Sequence, residues 1–404
     1  MAGPVQHDRP AGPSVPTPAE VDALIAQAYE ARHEDTRAAL ALNRRAQALA
    51  LTIDYAHGVA WAGLRVSLCL SILGEEQQEV QASLERSLTL LRQLGDAHGE
   101  AEALNLLGNQ AAARDDHEAA HSLHRQCLKL RRQLGDETGV ANSLNNIGLA
   151  LLRCGRLAEA LERLCDCLTA AEQLGNARSA AYAHFNIGQV LAAAEEPDLG
   201  RRHFERALEL IEPTRDRAGE STARVHLGHL LLRQGALEPA AAQLQTAAEL
   251  AQRAGNRGDI VRSQEALARL AAARGDLDRA IAHCIQARQL LPEGADREAE
   301  VRVLATLGRL HLARGEATDA LGALQAAAAA LASRQHAPLA AEVHEGLAGL
   351  YEAAGRQPEA LHHRQHAREM HRRLRGRHGL QRVRELIQRG SPVLLQRQPP
   401  TGRR

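Results

Sequence analysis

The sequence predicts an all-α solenoid of about nine helix–turn–helix hairpins, finished by a C-terminal capping helix. Three observations carry this prediction: a composition suited to closely packed helices, a 40-residue register of small residues, and prolines placed where helices tolerate them. Of 404 residues 45% are hydrophobic but only 2% aromatic, so the core is built from Ala, Leu, Val and Ile. An all-β fold would favour aromatic and β-branched residues. A base-stacking platform or an aromatic cage for cations would also need more rings. Lys129 is the only lysine, so 48 of the 49 cationic side chains are arginine.

The register runs through the chain. LGDAHGEAEALNLLG (94–108), LGDETGVANSLNNIG (134–148) and LGNARSAAYAHFNIG (174–188) end on Gly108, Gly148 and Gly188, at equal steps. Gly228 and Gly308 continue the series, and Ala268 and Ala348 fill the two skipped steps. The residue before each is apolar, from Leu107 and Ile147 to Leu347. A second series holds Gly155, Gly235, Gly275, Gly315 and Gly355, and a third holds Ala120, Ala160, Gly200, Ala240, Ala280, Ala320 and Ala360. A fixed period with small residues in fixed slots marks a repeat architecture.

Within one unit, Ala141, Leu144, Ile147, Gly148, Leu151 and Leu152 recur at helical spacing, a turn contains Gly155, and a second amphipathic run covers 157–174. Small residues at the crossing let two helix backbones approach. Of the six prolines in the body, Pro197, Pro239 and Pro358 fall in the first turn of a second helix, where a missing N–H costs little. Pro213 and Pro292 fall where a second helix ends, and Pro338 between units. Hairpins therefore start near Glu20, Ala60, Ala101, Ala141, Ala181, Ser221, Val261, Val301 and Ala341. The expected organisation is a disordered segment 1–18, a solenoid 19–375, a capping helix 376–390 with Leu380, Val383, Leu386 and Ile387 on its apolar side, and a basic disordered tail 391–404.

Leu107, Gly108, Ala120 and Leu128, with Tyr351, Phe204 and Pro292 in later units, resemble the small, apolar, aromatic and proline slots of the tetratricopeptide repeat. The period and the LGD…G…ALNxLG joint resemble its long-helix subclass, found in bacterial signalling proteins, spindle-orientation scaffolds and kinesin light chains. The resemblance spans about Glu20 to Leu374, and departs from the family at the glycine-free turn Glu195–Pro197 and at His124. It implies a right-handed superhelix with a concave groove lined by first helices. It also implies a non-catalytic scaffold that docks a protein or peptide segment there.

The groove slots hold Asn105, Asn109, Asn142 and Asn145, then Tyr182, Phe185 and Gln189, then Arg262, Arg269, Arg302 and Arg309. A carboxamide both donates and accepts, so it can grip a peptide backbone of any sequence. Tyr182 and Phe185 offer an apolar anchor, and the arginine pairs suit carboxylates or phosphates. The expected ligand is a peptide with an apolar segment followed by acidic residues. The competing reading makes the asparagines bridges between helices and pairs Arg262 or Arg302 with Glu265 or Glu300.

His117, His121, His124 and Cys127 share a helical face at spacings that can bind zinc. His124 occupies a core slot, so the group is read as structural, as are His362, His363 and His366 and the Cys165-x-Cys167 pair. No metal, cofactor or enzyme activity is expected: Lys129 sits in mid-helix, and no phosphate loop, His-Glu-x-x-His or nucleophile elbow is present. Six cysteines make no disulfide framework in a chain this long, the N-terminus lacks a secretory pattern, and no 18-residue uncharged apolar window is found. The expected location is the cytoplasm. From His371 onward ten arginines face one acid, Glu385, so zero net charge hides an acidic body and a basic tail. Two alternatives to the scaffold therefore stand: a regulatory sensor acting on a separate signalling or transcription protein, and an accessory protein binding nucleic acid or anionic membrane through that tail.

Overall fold

The computed structural model describes residues 16–388, except 33–34, 74–76, 115, 256, 292–296, 332–336 and 375–376. The segments expected to be disordered, 1–18 and 391–404, lie outside these residues apart from 16–18. Among the described residues every regular element is helical. The chain divides into two compact units, residues 1–110 and 111–404. The first contains α1 (Pro18–Ala31), α2 (Thr36–Thr52), α3 (Ala56–Leu73), α4 (Gln77–Leu94) and most of α5 (Ala97–Ala113). The second contains α6 (His117–Leu134), α7 (Glu137–Arg153), α8 (Leu157–Gln173), α9 (Ala177–Ala193), α10 (Pro197–Ile211), α11 (Arg217–Arg233) and α12 (Leu237–Ala254). It continues with α13 (Arg257–Ala273), α14 (Leu277–Leu290), α15 (Arg297–Arg314), α16 (Ala317–Leu331), α17 (Ala337–Ala353), α18 (Gln357–Leu374) and α19 (Arg377–Gln388). In chain order, α1 to α18 follow one another as nine pairs.

The LGD motif is a stop signal joined to a start signal. At Leu134-Gly135-Asp136, Gly135 ends α6 with φ at 67°, in the left-handed region that side chains disfavour. Asp136 then caps α7, its carboxylate accepting a hydrogen bond from the Gly139 N–H at 2.8 Å. Asp216 does the same for Gly219 at 3.0 Å, and Asn176 for Ser179 at 3.0 Å. The capped helices begin about one turn before the starting points read from the apolar pattern, because the cap and not the first core residue sets the boundary.

Within each hairpin the helices cross at the small slot. A Cβ placed on Gly148, Gly188, Gly228 or Gly308 would lie 2.6, 2.8, 2.4 or 2.6 Å from Leu164, Phe204, Leu244 or Leu324, which face them from the partner helix at a constant offset. Those four large side chains are buried. Where the slot holds Ala268, the residue at the same offset is the smaller Cys284, and both are fully buried. The hairpin turns use Gly155, Gly235, Gly275, Gly315 and Gly355 at φ between 71° and 83°. Glu195 occupies the corresponding slot with φ 65°, so the departure at 195–197 changes the residue and keeps the turn.

One expectation is corrected. The helix expected to cap the end of the stack is present as α19, but it packs on α8. Val383 is fully buried in the core cluster that includes Ala158, Leu161 and Leu164, and Leu380, Leu386 and Ile387 pack against that cluster. Arg382 reaches Glu162 at 2.8 Å and Arg384 reaches Glu196 at 3.3 Å. The reason lies in α8: Ala158, Leu161 and Cys165 present an apolar strip, whereas α12 carries Glu238, Ala241 and Gln245 in the same slots. Helix α3 is the element that comes nearest to a membrane span: it is 18 residues long with a mean hydropathy of 1.4, enough by length and composition to cross a membrane, but it carries Arg65 and so leaves the expected lack of an uncharged apolar window in place. Half of it is buried between its neighbours, and Arg65 lies over the Tyr29 ring at 4.1 Å and pairs with Glu102 at 3.2 Å. It serves as the core helix of the first unit.

Overpacking the crossing should cost about 1–3 kcal/mol. Gly228→Ala therefore lowers the urea midpoint, and Leu244→Cys in the same chain recovers part of the loss by recreating the Ala268–Cys284 combination. Strict additivity of the two changes in a double-mutant cycle would refute the size-matching account. Conversely, Glu195→Gly should stabilise by roughly 1 kcal/mol, since left-handed geometry costs a non-glycine residue about 1–2 kcal/mol. An unchanged or lowered midpoint would contradict it.

Candidate functional site

In the second unit each odd-numbered helix from α7 to α17 packs on its hairpin partner, and each from α7 to α15 also touches the next odd helix. This makes the odd helices the inner layer. Its curvature brings Arg153, at the end of α7, within 3.3 Å of Glu298 in the first turn of α15, 145 residues away. The face expected to bind a partner is thus an inner wall, crossed by an ion pair of the chain itself.

The carboxamides form a chain along this wall. Gln189 donates to the Asn186 side-chain oxygen at 2.9 Å, and Asn186 donates to that of Asn145 at 2.8 Å. The contact joins α7 to α9, as the bridging alternative holds for Asn145, while Asn142 is exposed. The groove count passes over Asn186 because it lies one position past the slot. Asn105 is half-buried and Asn109 exposed, both on α5 in the first unit.

Tyr182 and Phe185 are drawn into one lining. The Tyr182 hydroxyl donates to Asp216 at 2.9 Å, and Arg178 holds the same carboxylate at 2.8 Å. Burial, reinforced by Asp216, pushes the phenol up to about 12. Phe185 meets His226 edge-on at 5.0 Å between ring centres and lies 5.9 Å from Phe204. Beside them opens a cavity of about 200 Å³ lined by Tyr182, Phe185, Ile211, Thr222, Asp259 and Arg262. Three residues of the expected groove set, drawn from α9 and α13, therefore share a single depression.

The arginines are matched by carboxylates of the chain. Arg262 pairs with Asp259, Arg269 with Glu265 and with Glu342 at 3.0 Å, Arg309 with Glu342 at 2.6 Å, and Arg302 with Glu298. The competing reading holds in that Arg262 and Arg302 are paired, but the partners are Asp259 and Glu298, not Glu265 and Glu300. Glu265 is buried and also accepts a hydrogen bond from Thr306 at 2.8 Å. Burial pushes its carboxyl up, but Arg269, His229 and Arg302 more than offset this and hold it at about 2. Arg309 is exposed, so the Glu342 bridge is the part of the network that an incoming anion can reach.

The remaining sequence candidates separate. His124 is a core residue held neutral near 4, chiefly by burial with help from Arg131 and His121. Its neighbours do not converge with it: among the described residues the set whose possible ligand atoms lie within 4.8 Å of one another is His311, Glu316 and Asp319. There Arg314 already pairs with Glu316 at 2.6 Å. Burial raises both Cys165 and Cys167 to about 12, which makes them poor nucleophiles. Sequence reasoning also misses a cluster in the first unit. Trp61 donates to Asp96 at 2.9 Å, His57 lies 3.1 Å from the same carboxylate, and Tyr55 donates to Asp22 at 3.1 Å. The irregular spacing before Ala101 conceals that Trp61 and Tyr182 make the same tie to the aspartate of the next LGD segment or its equivalent.

Comparison with known proteins agrees with this architecture. Residues 99–173 and 178–253 match the family model described as tetratricopeptide repeat. Comparison with curated proteins yields no match. Among solved structures, a Rap protein complexed with competence and sporulation factor is 15% identical with a TM-score of 0.66, covering 88% of this chain and 98% of that one. The Rap conjugation gene regulator of plasmid pLS20, in complex with the Phr* peptide, is 16% identical with a TM-score of 0.60, covering 93% and 99%. Aspartyl phosphate phosphatase F from Bacillus subtilis is 12% identical with a TM-score of 0.53, covering 79% and 96%. At these identities the likeness is one of fold.

The buried imidazoles fix a pH dependence. Burial, then the charge of His203 and Arg206, holds His184 near 3, and burial holds His124 and His229 near 4. In the unfolded chain each titrates at its ordinary value of about 6.5. The unfolded state thus binds more protons between these limits, so stability is full above about pH 6.5 and falls as pH drops. Glu265 acts in a lower window, losing its contribution only as pH falls from 4.5 towards 2. The urea midpoint should therefore drop between pH 7 and 5. His184→Gln should flatten that slope, because His283 already pairs with Gln264 at 2.7 Å in the equivalent slot. A midpoint independent of pH over this range would contradict the assignment.

Proposed function

We propose that this tetratricopeptide-repeat protein is a non-catalytic scaffold that docks a peptide segment of a partner protein on the inner face of its second unit. The observation that carries the reading is the cavity of about 200 Å³ between Tyr182, Phe185 and Arg262. It has room for one apolar side chain, whose burial stabilises by about 1.5–3 kcal/mol. The half-buried Asn145 and Gln189 lie along the same inner layer, linked through the buried Asn186, and present carboxamide groups to an extended backbone.

Charge selects the rest of the ligand. Arg269 and Arg309 already share Glu342, so a partner carboxylate gains by replacing that side chain, not by meeting bare cations. The preferred segment is therefore an apolar anchor followed by acidic residues, as the sequence pattern implies. The hairpins hold their groups in fixed register, so the ordering cost falls on the ligand.

Two neighbours in fold were solved with a peptide or with competence and sporulation factor, and one is a conjugation gene regulator. They favour the regulatory version of this reading, in which the bound segment alters the hold of the chain on a signalling or transcription protein. The phosphatase neighbour, at 12% identity, brings no catalytic residue to this chain. The free cysteines fit a reducing compartment, and the reading places the protein in the cytoplasm. Binding of nucleic acid or anionic lipid through the basic tail is a lesser alternative, since Arg382 and Arg384 already pair with Glu162 and Glu196.

Crosslinking mass spectrometry on partners captured from lysate gives the segment, and fluorescence anisotropy with the corresponding peptide tests the site. Thr222→Trp, which fills the cavity, and Arg309→Ala should each weaken binding by roughly tenfold, about 1.4 kcal/mol. Undiminished binding by both variants would reject the inner face as the docking surface.

A further inference from the structure

The last hairpin carries a cluster of imidazoles that the proposed docking does not use. His344 on α17 faces α18, and its Nδ1 lies 2.9 Å from Nδ1 of His363. The His344 ring is 5.1 Å from that of His363 and 5.1 Å from that of His366, and His362 is 4.5 Å from His366. His344 and His363 are half-buried, while His362 and His366 are exposed. The sequence pattern alone assigns His362, His363 and His366 to packing, because His344 is remote from them along the chain.

The repeat supplies its own comparison. The His344–His363 pair recurs four repeats earlier as His184–His203, with Nδ1 atoms 3.0 Å apart, and at the intermediate position as Gln264 with His283. The shared slot is thus an interhelical hydrogen bond. The last hairpin adds two further histidines, one turn apart on the solvent side of that bond. In the earlier pair the corresponding positions are Arg202 and Arg206, cations that would repel a metal ion.

We propose that His344, His363 and His366, with His362 at the rim, form a binding site for a divalent transition-metal ion of the zinc, nickel and copper class. Zinc–nitrogen bonds of about 2.0–2.1 Å in tetrahedral geometry put ligand nitrogens roughly 3.3 Å apart and imidazole centres roughly 5 Å apart. His344 and His363 come close to that spacing, with nitrogens 2.9 Å and ring centres 5.1 Å apart, and the His344 and His366 ring centres are also 5.1 Å apart. Of these nitrogens, those of His344 and His363 lie together, and the His366 ring must turn to complete the set. Three neutral imidazoles suit borderline metals better than magnesium or calcium, which take oxygen ligands. An imidazole is mostly neutral at physiological pH, so a nitrogen lone pair is available.

The test uses the untagged full chain with zinc chloride alone, followed by isothermal titration calorimetry and thermal unfolding. One equivalent should bind, the unfolding midpoint should rise with the logarithm of zinc concentration, and cobalt in place of zinc should give the visible absorption of a tetrahedral nitrogen site. His366→Gln leaves the His344–His363 bond in place and should weaken binding by at least the roughly 10–100-fold that loss of a supporting contact costs elsewhere. His203→Gln and Glu316→Gln should leave zinc affinity unchanged. Absence of zinc uptake by the wild-type chain, or equal uptake by the His344→Gln/His363→Gln/His366→Gln variant with unchanged circular dichroism, would overturn the site.

Discussion

Everything in this protein depends on how closely the two helices of a hairpin approach. At Gly148, Gly188, Gly228 and Gly308 there is no room for a Cβ beside the large residue that faces it. The missing side chain lets the backbones draw together and Leu164, Phe204, Leu244 or Leu324 fill the space. Smallness on one helix is matched to bulk on the other: where the slot gains a methyl group at Ala268, the buried residue facing it is the smaller Cys284. A core made this way needs few rings. The low aromatic content is a consequence of the packing mode, and it leaves Tyr182 and Phe185 to line a depression on the inner layer.

The inner layer follows from the same geometry. Stacked hairpins bring odd helices against one another and turn their polar slots towards a common interior, where charges can be kept only if paired. The chain meets that condition with its own carboxylates. Glu265 is buried among Arg269, His229 and Thr306, and Glu342 joins α13 to α15 by accepting from both Arg269 and Arg309. Recognition by such a wall is exchange of one carboxylate for another next to an apolar cavity. This gives selectivity for a particular spacing more than a general attraction for acids.

Helix α19 shows how a departure from the repeat is used. An apolar strip on one outer helix would be an exposed patch on α8, and the chain covers it with Val383 and its neighbours, drawn from the far end of the sequence. The histidines of the last hairpin are a second departure. A slot that elsewhere carries an interhelical hydrogen bond gains imidazoles on its solvent side, where the hairpin with the equivalent histidine pair carries Arg202 and Arg206.

Much of the fold was legible in the sequence because it is set locally and then repeated. Periodic small residues give the crossing, LGD gives the cap and stop, and glycine or Glu195 gives the turn, each within a single hairpin and its joint. The candidate site was legible only as a set of slots. Tyr182, Phe185 and Arg262 were found because all three point inward by period, but their shared cavity depends on the bend between hairpins. Asp259, Glu265 and Glu298 lie three or four residues from Arg262, Arg269 and Arg302, within reach of helical spacing, but the long-range partners were not legible, since Arg153 meets Glu298 and Arg269 meets Glu342 across several intervening helices. The seat of α19 and the meeting of His344 with His366 likewise needed the tertiary structure. Sequence by itself determined the repeating unit, because local sterics and capping act over a short stretch of chain. Only the tertiary structure decided which charges cancel and which surfaces are covered, because those outcomes depend on distances that accumulate over many repeats.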